Sequence, residues 1–499
     1  MNTFINELEK TYNYKFTENG ALAHRSTGSK VYDLFSLGGA YRSRSDADCI
    51  LLFKNAFEED ADLALKCLFY LRDCRGGQGE RRFFRVCYKW LAENEPAAAR
   101  INLPHVFDFG RWDDLFVLIN TPLADDVASF IRTQLTLDMR DAIGQKGISL
   151  LGKWMPSENA HSKETKRKAA WIRNRLEMSP KQYRLMLSKL RKHLNVLERL
   201  MSANRWNEIE FDKIPSKAGL VYRNAFARRD IIAKKYEAFA KDKNTKVNAD
   251  TLYPYEVVEK VRNRIYGGWY WKDCSFKGNE TERAMLNKYW KNLPDYLNGK
   301  DLSMMCVVDT SGSMHGRPID VAISLGLYCA ERISGPFKNY YISFASKPQL
   351  IKTEGVDFVD KVERIYKTNL CDNTNLGAVF NLLLRTALNK NVKQEDIPKT
   401  IVVISDMEID VGSHWRKGMV ETEMEAIRST WERCGLEMPR LVYWDVSARH
   451  DTILDDGANV SYVSGCSPTI FKSVITGKNG FDLMLDALLN DRYKVIKSR

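Results

Sequence analysis

Along residues 1–300 apolar positions recur at spacings of three and four with almost no β-branched alternation, which predicts helix after helix. Turn signals at Arg75-Gly76-Gly77-Gln78-Gly79, Trp154-Met155-Pro156-Ser157, Ser179-Pro180 and Ile214-Pro215-Ser216 divide this array. One long helix is expected from about Pro180 to Ala203. Tyr183, Met186, Leu187, Leu190, Leu194, Leu197 and Met201 follow one side, and Lys181, Arg184, Arg191, Lys192, Asn195 and Arg199 the other. Beyond residue 300 the period changes. Met304–Val308, Tyr340–Phe344, Thr400–Ile404 and Arg440–Trp444 are short apolar runs of the kind that form fully buried strands, and Pro318–Ile333, Asn375–Leu388 and Thr422–Cys434 read as helices between them. This alternation predicts an α/β, doubly wound, mostly parallel sheet with its chemistry at the carboxyl ends of the strands. The expected organisation is a helical part, 1–300, joined through residues 293–300 to an α/β part, 301–499.

Composition adds bounds to this picture. Of 499 residues 44% are hydrophobic and 11% aromatic, which excludes a disordered or fibrous chain. The ten cysteines are scattered without paired zinc spacing and read as reduced, mostly buried thiols. Residues 1–10 lack the apolar core of a signal peptide, and no window approaches the ~20 apolar residues that span a bilayer, so the expectation is a cytoplasmic protein with no membrane partner.

The net charge of +12 suggests a polyanionic partner. Its placement is more informative than its size. Residues 161–246 hold 23 basic against 9 acidic side chains, whereas residues 301–499 hold 24 against 26. Within the basic segment Lys166, Arg167, Lys168, Arg173, Arg175, Arg184, Arg191, Lys192, Arg199, Arg228 and Arg229 are the candidate phosphate contacts, a clustering expected of a nucleic-acid surface rather than a solvated helix face. Trp171, Tyr183, Trp206, Tyr222, Phe226 and Tyr236 lie among them and offer rings on which unpaired bases can stack.

Directly after the first predicted strand of the α/β part comes Asp309-Thr310-Ser311-Gly312-Ser313-Met314. A carboxylate and two hydroxyls at alternate positions put hard oxygens on one rim, which suits Mg²⁺ better than a soft metal. Thr374, opening the helix after Cys371-Asp372-Asn373, and Asp406, closing the strand that ends Ile404-Ser405-Asp406, are placed to complete it from neighbouring loops. This Asp-x-Ser-x-Ser pattern with a later Thr and a later Asp resembles the metal-ion-dependent adhesion site of von Willebrand factor A domains. The resemblance implies that Ser311 and Ser313 ligate Mg²⁺, or Mn²⁺ or Ca²⁺, directly, Thr374 directly or through water, and Asp309 and Asp406 directly or from behind. It also implies an open coordination position that a carboxylate from a protein partner fills, and so a binding site rather than a catalyst.

A helical module followed by such a domain resembles the Ro autoantigen family, whose HEAT-like helical ring is the TROVE module. The stretches that carry this are Tyr70-Leu71-Arg72-Asp73-Cys74-Arg75-Gly76-Gly77-Gln78-Gly79-Glu80-Arg81, Phe109-Gly110-Arg111-Trp112-Asp113-Asp114-Leu115, and Ile214-Pro215-Ser216 leading to Ala225-Phe226-Ala227-Arg228-Arg229-Asp230. The resemblance implies small noncoding RNA on a basic outer face and single-stranded ends of misfolded RNA in a central hole. The three glycines at 76, 77 and 79 are read as a tight turn between helices.

No phosphate-binding GxxxxGK[ST] loop, HExxH, GxSxG or paired-carboxylate signature occurs, and the seven histidines are dispersed. The expected function is an RNA-binding scaffold with a metal-dependent protein-interaction site and no enzymatic activity. The alternative is a metal-dependent interaction or structural module that binds no RNA.

Overall fold

The computed structural model of the chain describes residues 12–266, 275–344, 347–368, 374–410, 423–454 and 459–499. Cys274, Cys371 and the Thr422 end of the third predicted helix lie outside the described residues. Among the described residues the strands are β1 Tyr14–Phe16, β2 Leu22–His24, β3 Ile265–Tyr266, β4 Ser275–Phe276, β5 Met304–Asp309, β6 Tyr340–Phe344, β7 Leu350–Lys352, β8 Thr400–Ser405, β9 Arg440–Asp445 and β10 Val460–Ser464.

The four apolar runs beyond residue 300 are β5, β6, β8 and β9. They form the middle of a six-stranded sheet of order β10-β9-β8-β5-β6-β7, parallel except for β7. β5 is buried at every position, as a central parallel strand between helical layers must be. The predicted helices are there, at Arg317–Arg332, Leu376–Asn389 and Glu423–Arg433. Two edge strands were not anticipated. β7 is short and largely exposed, and β10 interleaves Val460, Tyr462 and Val463 with Ser461 and Ser464 yet is buried throughout. Its polar groups are satisfied by the helical part: Gly39 N–H donates to Ser464 Oγ (2.9 Å), Ser464 Oγ donates to the Phe35 carbonyl (3.1 Å), and Tyr462 N–H donates to the Tyr32 hydroxyl (2.7 Å).

From Lys30 to Lys291 the chain is dominated by helices, with Ser29, Ser45, Asp60, Ser162 and Ser179 as side-chain N-caps. The long helix expected over Pro180–Ala203 is two helices, Pro180–His193 and Leu197–Ser202. Asn195 breaks it by adopting φ 46°, a left-handed conformation that asparagine tolerates, while Val196 N–H closes the end on the Arg191 carbonyl (3.3 Å). β1 and β2, an antiparallel hairpin, are a second departure from helix after helix. The hairpin is not held by helices: Gly20 bridges Asp410 and His24 bridges Ile453, so it lies on the α/β domain.

Both ends of the helical array dock on that domain. At the first end, buried Asp73 accepts from Arg492 (Nη2, 2.8 Å) and from the Tyr493 hydroxyl (3.0 Å), and Asn102 exchanges hydrogen bonds with the Lys497 backbone (2.6 and 3.1 Å). At the other, Arg262 pairs with buried Asp320 (2.7 Å), Arg283 with Asp357 (2.7 Å), and Trp290 stacks on Phe358 at 4.3 Å. The joint at residues 293–300 is fixed in the same way. Leu293 and Leu297 are buried, and the Tyr328 hydroxyl accepts from Tyr296 N–H (2.8 Å) and donates to the Pro294 carbonyl (2.6 Å). The helices therefore run in a circuit that both starts and ends on the α/β domain, and a large open cavity lies along its inner side.

The eight cysteines among the described residues are free, six of them buried. No helix among the described residues is long and apolar enough to cross a membrane.

Candidate functional site

The loops at the carboxyl ends of β5 and β8 meet. Asp309, fully buried, accepts from Ser311 N–H (2.8 Å) on one carboxyl oxygen and from the Ser405 hydroxyl (2.5 Å) on the other. The Ser311 and Ser313 hydroxyls are 2.9 Å apart, and Ser313 hydrogen-bonds Asp406. Four of the five sequence-predicted ligands are thus in one cluster: Asp309, Ser311, Ser313 and Asp406. Thr374 is buried on the same edge, but its hydroxyl donates to the Glu408 carbonyl (3.2 Å) and it reaches the cluster through the 406–410 loop.

Burial pushes the Asp309 carboxyl up to about 7, with the Asp406 charge adding to the shift. Asp406 is raised by burial as well, against the pull of Ser313 and Arg449, and Asp445 at the end of β9 is raised by burial and by the charges of Asp406 and Glu408. One Asp445 carboxyl oxygen has no hydrogen-bond partner among the described residues. The edge is rich in hard oxygen and short of positive charge, a donor set that a divalent cation such as Mg²⁺ fits, with Asp309, Ser311, Ser313 and Asp406 able to hold it.

Sequence reasoning missed the groups behind these ligands. Arg449 spans Asp406 and Glu18 of the N-terminal hairpin, at 3.1 Å to each. Glu408, buried, accepts from Glu18 N–H (2.6 Å), and the Asn19 side chain donates to the Glu408 carbonyl (2.7 Å). Ser405, next to Asp406, was readable from the motif itself, and Asn19-Gly20 marks the hairpin turn; that the hairpin and Arg449 meet this edge carried no local signal.

The cavity inside the helical circuit has a volume of about 1380 Å³. Its walls carry ten arginines and two lysines against Glu80, Glu158 and Glu198, with Trp154, Tyr183, Tyr222, Tyr253 and Tyr255 among them. Eight of these twelve cations lie outside residues 161–246, and Arg317 comes from the α/β domain, four residues past Ser313. The walls are anchored by acids, Asp114 and Glu80 buried and Asp113 half-buried: Asp114 binds Arg72 and Arg85 (2.6 Å each), Arg111 pairs with Asp113 (2.6 Å), and Arg42 pairs with Glu80. Arg81 has no such partner among the described residues. Partial burial, with the charges of Arg111 and Arg85 adding to it, holds its guanidinium below the usual range. Arg111 lies over the Trp154 ring at 4.0 Å, and Arg317 over Tyr255 at 5.6 Å.

The glycine turn at residues 76–79 is a tight connection, as its sequence predicts. Gly79 has φ 68°, and a Cβ there would fall 1.8 Å from the Tyr253 hydroxyl. The turn docks on the α/β domain through Thr469, whose hydroxyl donates to the Gly77 carbonyl (2.9 Å).

Of the basic residues picked from sequence, Arg184, Arg191 and Arg199 line this cavity. Arg191 also pins the 152–157 turn, donating to Gly152, Met155 and Ser157. Arg173 and Arg184 share Glu158, Lys168 pairs with Glu164, and Arg175 covers the Trp171 ring at 4.4 Å while pairing with Asp125. Lys166, Arg167 and Lys192 are exposed and have no ion pair among the described residues. Arg228 lines a second, smaller cavity, and Arg229 covers Trp206 at 4.9 Å. The rings proposed for stacking divide sharply. Tyr183, Trp206, Phe226 and Tyr236 are buried in the core, where helical spacing puts most aromatics, and Tyr222 is the one that reaches the large cavity with some exposure.

Residues 303–491 match the family described as domain of unknown function DUF7788, and residues 17–131 and 159–301 match the family described as domain of unknown function DUF2828. An uncharacterized protein of Acanthamoeba polyphaga mimivirus is 29% identical over 524 residues, spanning 95% of this chain and 87% of its own. Among solved structures, the Ro (RSR) protein of Deinococcus radiodurans aligns with 91% of this chain and 100% of its own at 13% identity and a TM-score of 0.40, a likeness too loose to carry an argument. The second of these families accounts for just over half of the residues, and the chain belongs to it: DUF2828.

Proposed function

We propose that this protein is an RNA-binding scaffold whose central cavity takes the single-stranded end of a noncoding or misfolded RNA. The observation that carries the reading is the cavity wall, where twelve cations stand among five aromatic side chains and six of the cations, Arg75, Arg81, Lys153, Arg191, Arg199 and Arg317, have no ion pair among the described residues. A backbone of phosphates supplies the missing negative charge, and unpaired bases find planar partners in Trp154, Tyr222 and Tyr255. Duplex RNA, whose bases are paired and stacked, offers no unpaired faces to these rings. Exposed Lys166, Arg167 and Lys192 then serve as an outer surface for the structured part of the same RNA.

The α/β domain, on this reading of von Willebrand factor A type, binds a protein partner through Mg²⁺ held by Asp309, Ser311, Ser313 and Asp406, with Thr374 alongside. The ion supplies an acceptor for a partner carboxylate. The chain itself positions the two hydroxyls, keeps Asp309 dry and holds the 406–410 loop through Arg449 and the N-terminal hairpin. The protein acts by binding and not by turnover, and its free thiols suit a reducing, cytoplasmic setting. Binding of an RNA with a single-stranded 3′ tail, against a tailless control, tests the first part: a preference for the tail that is lost on Arg81→Glu with Arg199→Glu supports it, and equal binding of both RNAs by parent and variant refutes it.

A further inference from the structure

A second cavity, of about 260 Å³, lies between the helices Ser216–Arg228 and Glu280–Lys291 and shares no lining residue with the central one. Arg223, Arg228, Arg264 and Lys277 border it, with Glu282 as its one acid. Glu282 is already shared by two of the four cations, accepting from Arg264 (3.1 Å) and Arg223 (3.3 Å) on the same oxygen. Arg228 and Lys277 are exposed and have no ion pair among the described residues, so the site has a surplus of positive charge.

Two further features point the same way. Arg223 is 9% exposed and its Nε has no acceptor, and Tyr236, 3% exposed, borders the cavity with a hydroxyl that has no partner. Unsatisfied buried donors of this kind are rare unless something is missing from the site. Gly278 and Asn279 bring the N-terminus of the twelve-residue helix Glu280–Lys291 to the rim, and a Cβ at Gly278 would fall 2.4 Å from the Phe276 ring, so the close approach of this ring favours glycine there.

We propose that this cavity is a phosphate-binding site. Guanidinium forks, an ammonium and a helix N-terminus are the donors that match a tetrahedral dianion, and arginine is the side chain best shaped for it. The volume is below the roughly 300–1,000 Å³ of pockets that enclose whole small molecules, so the cavity takes a phosphoryl group and leaves whatever bears it outside. The site stands apart from the central cavity and does not depend on the RNA reading.

The full-length protein is titrated with inorganic phosphate at constant ionic strength, and its Arg75→Glu, Arg81→Glu, Arg199→Glu, Arg317→Glu form, whose central cavity no longer favours nucleic acid, is titrated with a short oligonucleotide bearing a 5′-phosphate and with its 5′-hydroxyl counterpart. Phosphate is expected to bind, and Arg228→Ala with Lys277→Ala to weaken it by roughly tenfold or more while leaving the unliganded thermal midpoint in place, since both side chains are exposed. Arg228→Ala alone weakens it less. A preference for the 5′-phosphorylated oligonucleotide identifies the end of a nucleic acid as the source, and equal affinity for the two oligonucleotides identifies a free phosphate or small ester; either agrees with the site. Arg199→Glu in the central cavity leaves phosphate binding unchanged. A parent protein that binds no phosphate, or a double variant that binds it as tightly as the parent, overturns the proposal.

Discussion

The metal-type edge of the sheet and the basic cavity are assembled in opposite ways. The edge is local: three of its oxygens come from Asp309 to Ser313, and the fourth from Asp406 at the end of the neighbouring parallel strand. The cavity is distributed, with cations drawn from Arg42 to Arg317 and with two thirds of them outside the segment where the sequence concentrates its charge. A parallel sheet brings short motifs at its strand ends together by construction, whereas a closed helical array makes a site from residues that have no sequence relation to one another. A charge surplus along the chain is therefore a poor guide to where a helical array gathers its cations.

The comparison is broken most decisively by reversing charge in each place. Arg75→Glu, Arg81→Glu, Arg199→Glu and Arg317→Glu together should cut RNA affinity by roughly two to three orders of magnitude and flatten its salt dependence, while Lys166→Glu, Arg167→Glu and Lys192→Glu should cost less than about tenfold. Filter binding across a salt series measures both. If the outer set matters more, the cavity is not the site.

Next in size is the cavity wall. Asp114 is fully buried and holds Arg72 and Arg85, and Arg72 is itself buried, so Asp114→Ala should destabilise the protein by about 3–5 kcal/mol in chemical denaturation, because it leaves a buried guanidinium uncompensated. A change under about 1 kcal/mol would mean that the wall does not depend on this pair.

The edge should answer to metal and not to charge reversal elsewhere. Mg²⁺ at a hundredfold excess over its Kd should stabilise the parent by about 2.7 kcal/mol and raise its Tm, and Ser311→Ala with Ser313→Ala should abolish the rise. The smallest effect is on pH. Asp309, at about 7, and the raised Asp406 and Asp445 keep protons in the folded state that the unfolded chain releases near pH 4. Without metal, the stability these groups allow is greatest below about pH 4 and is lost as pH rises through 7. Denaturation at pH 5 and pH 8 should show this decline, Asp445→Asn should lessen it, and Mg²⁺ should offset it most at pH 8.

The sheet centre and the edge were legible because burial on both faces writes β5, β6, β8 and β9 as unbroken apolar runs, and because the candidate metal-binding residues stand at fixed positions after them. β10 was hidden: its serines imitate a loop until Gly39 and Phe35 satisfy them from the helical part. The break at Asn195 left a readable sign, an asparagine at the position that ends a helix, which the apolar periodicity on either side concealed. The hairpin at residues 14–24 left a readable sign, Asn19-Gly20 between the alternating Tyr14-Lys15-Phe16 and the apolar Ala21-Leu22-Ala23, which the helical reading of the flanking chain concealed; what its own sequence does not show is that Asp410 and Ile453, far along the chain, hold it. Closure of the array depends on contacts such as Asp73 with Arg492, separated by most of the chain, which no periodicity can show.

The central claim is tested most directly by measuring binding of one structured RNA, with and without a single-stranded 3′ tail, to the parent and to the Arg75, Arg81, Arg199 and Arg317 charge-reversed protein from low to physiological salt. Tight, salt-sensitive binding that prefers the tail in the parent and loses that preference in the variant is the predicted result. Absence of binding at low salt, or a tail preference that survives in the variant, would contradict the account and leave a metal-dependent interaction module without RNA.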